Sequence, residues 1–403
     1  MFGMFKKIPA LILGAGLICS SVQNEDFGYL WLGALDDADK QPVLWRVLAV
    51  GGNGATYTND AGEPCEKPLF LLTDDSLGLH PLSGAIQPNE QIKFYLDEAA
   101  NQQPATPAAV WQNSDARKWC RHFAEACFTE PEREAVLATS KSDDEYHAKR
   151  DFNNPKLPPV PAAAEILRDD KLFFLSDEEA ENPAYGFQDK KRYAEEQEWW
   201  TRSYEGFFEP LGCIEVGIVQ TEFGGLLRAP AGPNIAMGAR PALNLNRERI
   251  LFTSIGVTGK VRRLPSGPAH LALVEKLPLQ KLEPWKLTLL DTERDKFAVG
   301  TVRLMEQVLT IPYRNAIIYH PLNAPNERIS AIVTDKTGTD IKYYGNIALP
   351  LHARGEAQLD MTAIDWAIDD RLFVFSEQCN GYRRTDFASP LQEVALTKGA
   401  RGY

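Results

Sequence analysis

The sequence predicts a two-part chain, an α+β domain followed by an all-β antiparallel sandwich. Three observations predict it. Between residues 27 and 250, apolar runs with a two-residue period alternate with helix-length segments opened by capping residues. From about residue 276 to 398 the helical patterns cease, and short alternating runs follow one another between turn signals. Between these parts, residues 251–275 include VTGKVRRLPSGPAH, whose turn residues mark a linker. The length of 403 residues fits this division at about 150 residues per domain.

GYLWLGAL and QPVLWRVLAV read as the first strands, with Val43, Trp45, Val47 and Ala49 on one face of the second. Leu69 to Leu72 forms a short apolar strand that ends at the Asp74-Asp75 turn. Residues 78–110, rich in Gln, Pro and Ala, read as a surface excursion. Ser114 caps a helix through DARKWCRHFAEACF, in which Ala116, Trp119, Cys120, Phe123 and Cys127 approximate one apolar stripe. Thr129 and Glu132 form a capping-box pattern for a second helix running to about Ala138, with Pro131 tolerated in its first turn. Residues 141–164 are charged and proline-rich, as an exposed loop would be. Leu172 to Leu175 is a buried-strand signal, and Ser176 with Glu179 repeats the capping box. CIEVGIV is a further strand, and Pro241 in GARPALNLN fits a strand start or edge. RERILFTSI adds another strand candidate. Beyond the linker come WKLTLLD, FAVGTVRL, QVLTI, AIIYH, ISAIVTD, IKYYGNIAL, AQLDMTAI, LFVFSE and EVALT.

Composition narrows the function. The chain is 44% hydrophobic and 10% aromatic, enough to bury cores. Its 43 basic and 55 acidic residues leave a charge of -12, which argues against a nucleic-acid partner. Lys6 and Lys7 precede an apolar run from Ile8 to Cys19, the size of a signal-peptide core and too short for a membrane span. Residues 1–24 are therefore expected to be a leader, placing the protein outside the cell or at its surface. Bulky Ile18 disfavours lipidation at Cys19. No later segment has the apolar length of a membrane span.

The six cysteines, at 19, 65, 120, 127, 213 and 379, become an odd five once the leader is removed; they show neither paired CxxC ligands nor a disulfide framework, and read mostly as buried free thiols. On one helix, Cys120 and Cys127 would stand roughly 10 Å apart, too far for a disulfide. The six histidines are scattered, no glycine-rich phosphate cradle or nucleophile elbow occurs, and no cofactor or metal is expected. The acidic runs DDADK, TDDS and SDDE lack EF-hand spacing and read as solvated turns.

Three tryptophan–arginine segments remain. In Trp199-Trp200-Thr201-Arg202-Ser203, a guanidinium beside indoles can leave water only if its fork is hydrogen-bonded or stacked. Arg202 is expected to act as a brace bonding backbone carbonyls; carboxylate partners are available nearby in sequence, and a distant one, such as Asp115 or Asp170, is an equal candidate. In Trp111-Gln-Asn-Ser114-x-x-Arg117-x-Trp119, Arg117 opposes the helix dipole, which calls for a carboxylate partner elsewhere. In Gly238-Ala-Arg240-Pro241, the proline biases Arg240 toward extended backbone.

These segments resemble the DUF6273 family, a domain of unknown function common in exported bacterial proteins. The likeness rests on Trp45-Arg46-Val47-Leu48, on Trp111, Ser114, Arg117 and Trp119, and on Phe128-Thr129 with Glu132. It continues through Asp170-Lys171, Phe173 to Ser176 with Glu179, Trp199 to Ser203, and Arg240-Pro241-Ala242-Leu243, covering about Phe27 to Leu245. DKTGTDIKYYGNI and FSEQCNGYRRTDFAS look like the sandwich often attached to the family. Departures are Cys120-Arg121 for the usual Leu-Asn, Thr201 for leucine, and Tyr204-Glu205 for Pro-Gly. The resemblance implies a C-type-lectin-like first domain, with a small twisted antiparallel sheet and short helices, and an immunoglobulin-like second one.

The function expected from this reading is a non-catalytic binding or structural protein recognising a glycan or cell-envelope component. Arg202, Tyr204, Phe207 and Phe208 are the candidate ligand-binding residues, because aromatic rings stack on sugar faces. Two alternatives stand beside it: a formylglycine-generating-enzyme-like oxidase using Cys120 and Cys127, and a purely structural spacer.

Overall fold

The computed structural model describes residues 28–394 apart from 36–38, 103–105, 144–163, 186, 188–196, 209, 221–224, 256–283, 338–340, 363, 368 and 382. The expected leader with Cys19 and most of the expected linker lie outside the described residues. The described chain is α+β, with a large mixed sheet and few short helices. Its described residues divide into two compact units, one within Asn24–Arg247 and one within Glu248–Tyr403.

The first unit opens with β1 (Tyr29–Ala34), β2 (Pro42–Val50), β3 (Thr56–Thr58) and β4 (Pro68–Thr73). Short strands β5 (Leu77–Leu79), β6 (Ile86–Pro88) and β7 (Ile92–Lys93) follow, then a run of helices. After the helices come β8 (Val136–Asp143), β9 (Ala164–Asp170) and β10 (Leu172–Phe174). The unit closes with β11 (Trp199–Phe208), β12 (Cys213–Val219), β13 (Leu226–Pro230), β14 (Ala236–Met237) and β15 (Pro241–Asn246). The main sheet has the order β1-β2-β4-β15-β8-β3, with β10 also on β15 and β9 on β8, while β11-β12-β13 form a separate sheet. Every residue of β4 and β15 is buried, as central strands require. Pro241 is the first residue of β15, where its missing N–H costs the ladder nothing.

The helices begin where the capping residues stand. The Ser114 hydroxyl accepts the Arg117 amide at 3.0 Å and opens the helix Asp115–Cys127, whose buried positions are Ala116, Trp119, Cys120, Phe123 and Cys127. Thr129 with Glu132, and Ser176 with Glu179, close both bonds of a capping box.

Three expectations need correction. The second helix stops at Ala135, and Val136 begins β8, because that strand pairs with β3, β9 and β15. Residues 141–143, expected in an exposed loop, complete β8. Residues 78–110 are more than a surface excursion: Ile86, Ile92, Phe94 and Tyr95 are buried, and Thr106 caps a helix Pro107–Asn113 that carries Trp111 inward. Phe94 packs edge-on to Trp200 at 5.5 Å between ring centroids, which ties the excursion to the tryptophan motif.

The second unit has β16 (Ile250–Ile255), β17 (Trp285–Leu290), β18 (Ala298–Val299), β19 (Arg303–Met305) and β20 (Val308–Arg314). It continues with β21 (Glu327–Thr334), β22 (Ile341–Ala348), β23 (Arg354–Asp360), β24 (Arg371–Gln378), β25 (Asp386–Ala388) and β26 (Gln392–Val394). Leu251 to Ile255, at the start of the expected linker, belong to β16, which pairs with β17. AIIYH is not a strand; only His320 forms an isolated bridge, to Ala324. Within the unit, β22-β21-β24-β25-β17 are hydrogen-bonded neighbours, antiparallel except for the parallel β17–β25 pair. A second sheet, β18-β20-β19 with β23 on β20, packs on it through Leu309, Ile311, Leu359, Ile329, Val333 and Val374.

Candidate functional site

Part of the motif of the first unit, Ser176, Glu179 and Arg202, meets in a buried polar network centred on Arg202. Its Nε and Nη2 donate to the two Asp143 carboxylate oxygens at 2.8 and 2.6 Å, a bidentate fork. Its Nη1 donates to Glu179 Oε2 at 2.6 Å and to the Phe174 carbonyl, and its Cζ lies 5.4 Å from the Phe173 ring centroid. The side chain is fully buried, and each guanidinium nitrogen already donates within the protein. Burial penalises this charge, but Asp143 and Glu179 more than offset the penalty and hold the Arg202 pKa above its ordinary value. The partners are therefore Asp143 and Glu179, not Asp115 or Asp170.

Glu179 serves twice. Its Oε2 accepts the Ser176 amide at 3.0 Å as the return bond of the capping box, and its Oε1 accepts Lys141 Nζ at 2.7 Å and Asn53 Nδ2 at 2.8 Å. Thr139, Lys141 and Asp143, at alternate positions of β8, all reach the network, since Asn244 Nδ2 donates to Thr139 Oγ1 at 3.2 Å. Burial alone would raise the Glu179 pKa, but Arg202 and Lys141 bring it down to about 2, below the ordinary 4.5. A carboxylate with a depressed folded pKa stabilises the fold above its unfolded pKa, and that contribution disappears as pH falls toward the folded value. We therefore expect an acid-unfolding component between about pH 5 and pH 2 that is absent in Glu179→Gln; circular dichroism against pH measures it.

The other motif residues make contacts of their own. Thr201 Oγ1 donates to Asp177 Oδ1 at 2.6 Å, and the Asp177 amide donates to Ser203 Oγ at 2.9 Å. A Cβ at Gly217 would collide with Asp177 Oδ1 and Thr201 Oγ1. Gly217→Ala should accordingly lower stability by about 1–3 kcal/mol through overpacking, read as a lower midpoint in urea unfolding. Trp200 Nε1 donates to the Ile92 carbonyl at 3.0 Å. Trp199 lies under Arg240, whose Cζ is 5.2 Å from the ring centroid. Arg240 Nε and Nη2 both donate to the Thr73 carbonyl, and burial lowers its pKa to about 10 despite Asp74.

Arg117 has the carboxylate partner its position calls for. Its Nε meets Asp170 Oδ1 at 2.6 Å, and Asp170 Oδ2 also accepts Trp111 Nε1 at 3.3 Å. Trp45 Nε1 donates to the Leu32 carbonyl at 2.8 Å, while its ring packs against Phe123 and Phe128. Trp119 is buried on Phe123 and Phe174.

The hairpin beyond the motif runs outward. In β11, Trp199 to Ser203 are buried, Tyr204 and Phe207 are half-buried, and Phe208 is 37% exposed. Tyr204 opposes Val216 and Phe207 opposes Ile214, so these two rings share a face. Phe208 opposes Cys213 and lies on the other face. The three rings do not make one platform. Leu211, at the turn, and Leu227, on β13, are also exposed.

No family model, curated protein or solved structure matches the chain. No helix among the described residues is long and apolar enough to cross a membrane.

Cys120 and Cys127 lie on one unbroken helix, both buried, and among the described residues no disulfide forms. Burial pushes the Cys120 thiol well above its ordinary pKa, with Asp170 adding to the rise. A redox or metal-loading thiol requires the opposite, a lowered pKa and access. The arrangement around Arg202 is chemically a clamp. Asp143 and Glu179 are both hydrogen-bonded to a permanent cation, and Arg202 with Lys141 holds Glu179 well below the range of a general acid.

Proposed function

We propose that the protein is a non-catalytic binding protein, exported and akin to the DUF6273 family. Its first unit, of C-type-lectin-like type, would hold a recognition hairpin on a rigid base, and an immunoglobulin-like second unit would serve as its spacer. One observation carries the reading: Arg202, the charged centre of the motif, spends all three guanidinium nitrogens inside the protein. Such a group fixes shape and offers nothing to a substrate. The half-buried pair Tyr204 and Phe207 then provides the apolar face with polar edges that a glycan or envelope component would meet.

The test is a glycan array probed with the full chain, followed by titration of the best binder. Tyr204→Ala and Phe207→Ala should each weaken binding by about two- to tenfold, the 0.5–1.5 kcal/mol an aromatic contact supplies. An array with no signal contradicts the glycan reading and leaves the spacer role.

A further inference from the structure

In the second unit a different set of groups converges, with the makings of a metal site. One ligand atom each from Glu377, Cys379 and Asp386 lies within 4.8 Å of the others. The topology brings them together. Cys379 follows directly on β24, whose Gln378 opposes Phe387 of β25, so Cys379 and Asp386 meet across the strands. Glu377 is two residues from Cys379 and shares its face. We propose that this trio binds a divalent cation of the zinc class.

The donor chemistry selects that class. A thiolate beside two carboxylates suits a borderline-soft first-row ion and not magnesium or calcium, which take oxygen alone. The charge also fits. Once metal binding releases the Cys379 thiol proton to solvent, the thiolate and two carboxylates carry three negative charges, and the Lys286 ammonium, 2.8 Å from Asp386 Oδ1, contributes one positive. A divalent ion brings these four groups to neutrality. Glu377 is oriented by neutral donors: Ser330 Oγ at 2.5 Å and Asn346 Nδ2 at 3.0 Å to Oε1, and Tyr344 Oη at 3.0 Å to Oε1 and 3.1 Å to Oε2. Outer hydrogen bonds of this kind are what aim a ligating carboxylate. Asn346 Nδ2 also reaches Cys379 Sγ at 3.7 Å.

A separate observation points to the same place. The Thr288 hydroxyl is fully buried and has no hydrogen-bond partner among the described residues. Lys286 shows which face of β17 looks toward Asp386, and Thr288, two residues on and paired with Asp386 in the parallel register, shares that face. A buried orphan hydroxyl needs a partner, and a hydrated ion in the trio supplies one. Cys379 is only half-buried, which gives an ion a way in.

The experiment titrates cobalt(II) into the metal-stripped full chain and follows the thiolate-to-cobalt charge-transfer absorption, then displaces cobalt with zinc. The expected result is a band saturating at one equivalent, lost in Cys379→Ser and kept in a Cys19→Ser/Cys65→Ser variant. Tyr344→Phe, which keeps all three ligands, should weaken affinity about 10–100-fold. Circular dichroism confirms that each variant is folded. A folded wild type without the band, or a band that persists in Cys379→Ser, overturns the proposal.

Discussion

Arg202→Ala is expected to lower the unfolding free energy by about 3–5 kcal/mol, because it strips the cation from a buried ion network. For a unit of this size that is a melting temperature lower by about 6–20 °C. The loss comes mainly from what is left behind: Glu179 buried beside Lys141 alone, and the Phe174 carbonyl without its donor. Arg202→Lys keeps the charge but cannot form the fork to both Asp143 oxygens, and should recover only part of the deficit. Calorimetry of the three proteins checks the order. A ligand-facing arginine would give another pattern, with stability held and binding lost.

The second large effect is expected at Arg294 in the other unit. Its Nη1 and Nη2 donate to the Glu327 oxygens at 2.6 and 2.9 Å, and its Nε to Asp291 Oδ2 at 2.9 Å, with all three side chains buried. Burial works against the charge, but the hydrogen bonds and field of Glu327, with Asp291, keep the Arg294 pKa above its ordinary value. Asp291 also accepts the Glu293 amide at 3.0 Å, capping the short turn that carries Arg294. Removing the arginine leaves two acids facing one another in the interior, so Arg294→Ala should cost about 3–5 kcal/mol. Urea unfolding measures it, and an Arg294→Ala/Glu327→Gln double variant should recover part of the loss, since the buried charge goes with its partner.

Much of this was legible in the sequence where a local rule decides it. Ser114, Thr129 and Ser176 announced helix starts because a side-chain oxygen must satisfy amides that have no intrahelical partner. Pro241 announced a strand start because it cannot donate. The need of Arg117 for a carboxylate followed from the helix dipole, and Asp170 answers it. What stayed hidden depends on distant pairing. Asp143 stands among charged residues whose composition reads as a loop, and only the extension of β8 turns it toward Arg202. The alternation of Thr139, Lys141 and Asp143 was a usable signal, but the helix pattern before it obscured where the strand begins. Glu179 was visible as a cap and not as an ion-pair partner, since nothing local distinguishes the two roles. Arg294, Lys286 and Asp386 carried no signal, because each meets a partner brought by a separate strand or turn. Phe94 stands in a stretch whose composition is polar, although that stretch supplies the ring lying against Trp200.

The most direct test of the account is hydrogen exchange at the Arg202 side chain, followed by nitrogen-edited NMR with Arg202→Lys to assign the signal. A guanidinium clamped between Asp143 and Glu179 predicts an Nε–H that exchanges orders of magnitude more slowly than that of a solvent-exposed arginine, with a shift that does not move when ligands are added. Exchange at the solvent rate, or a shift that follows ligand, would mean that Arg202 faces a cleft and that the clamp is wrong.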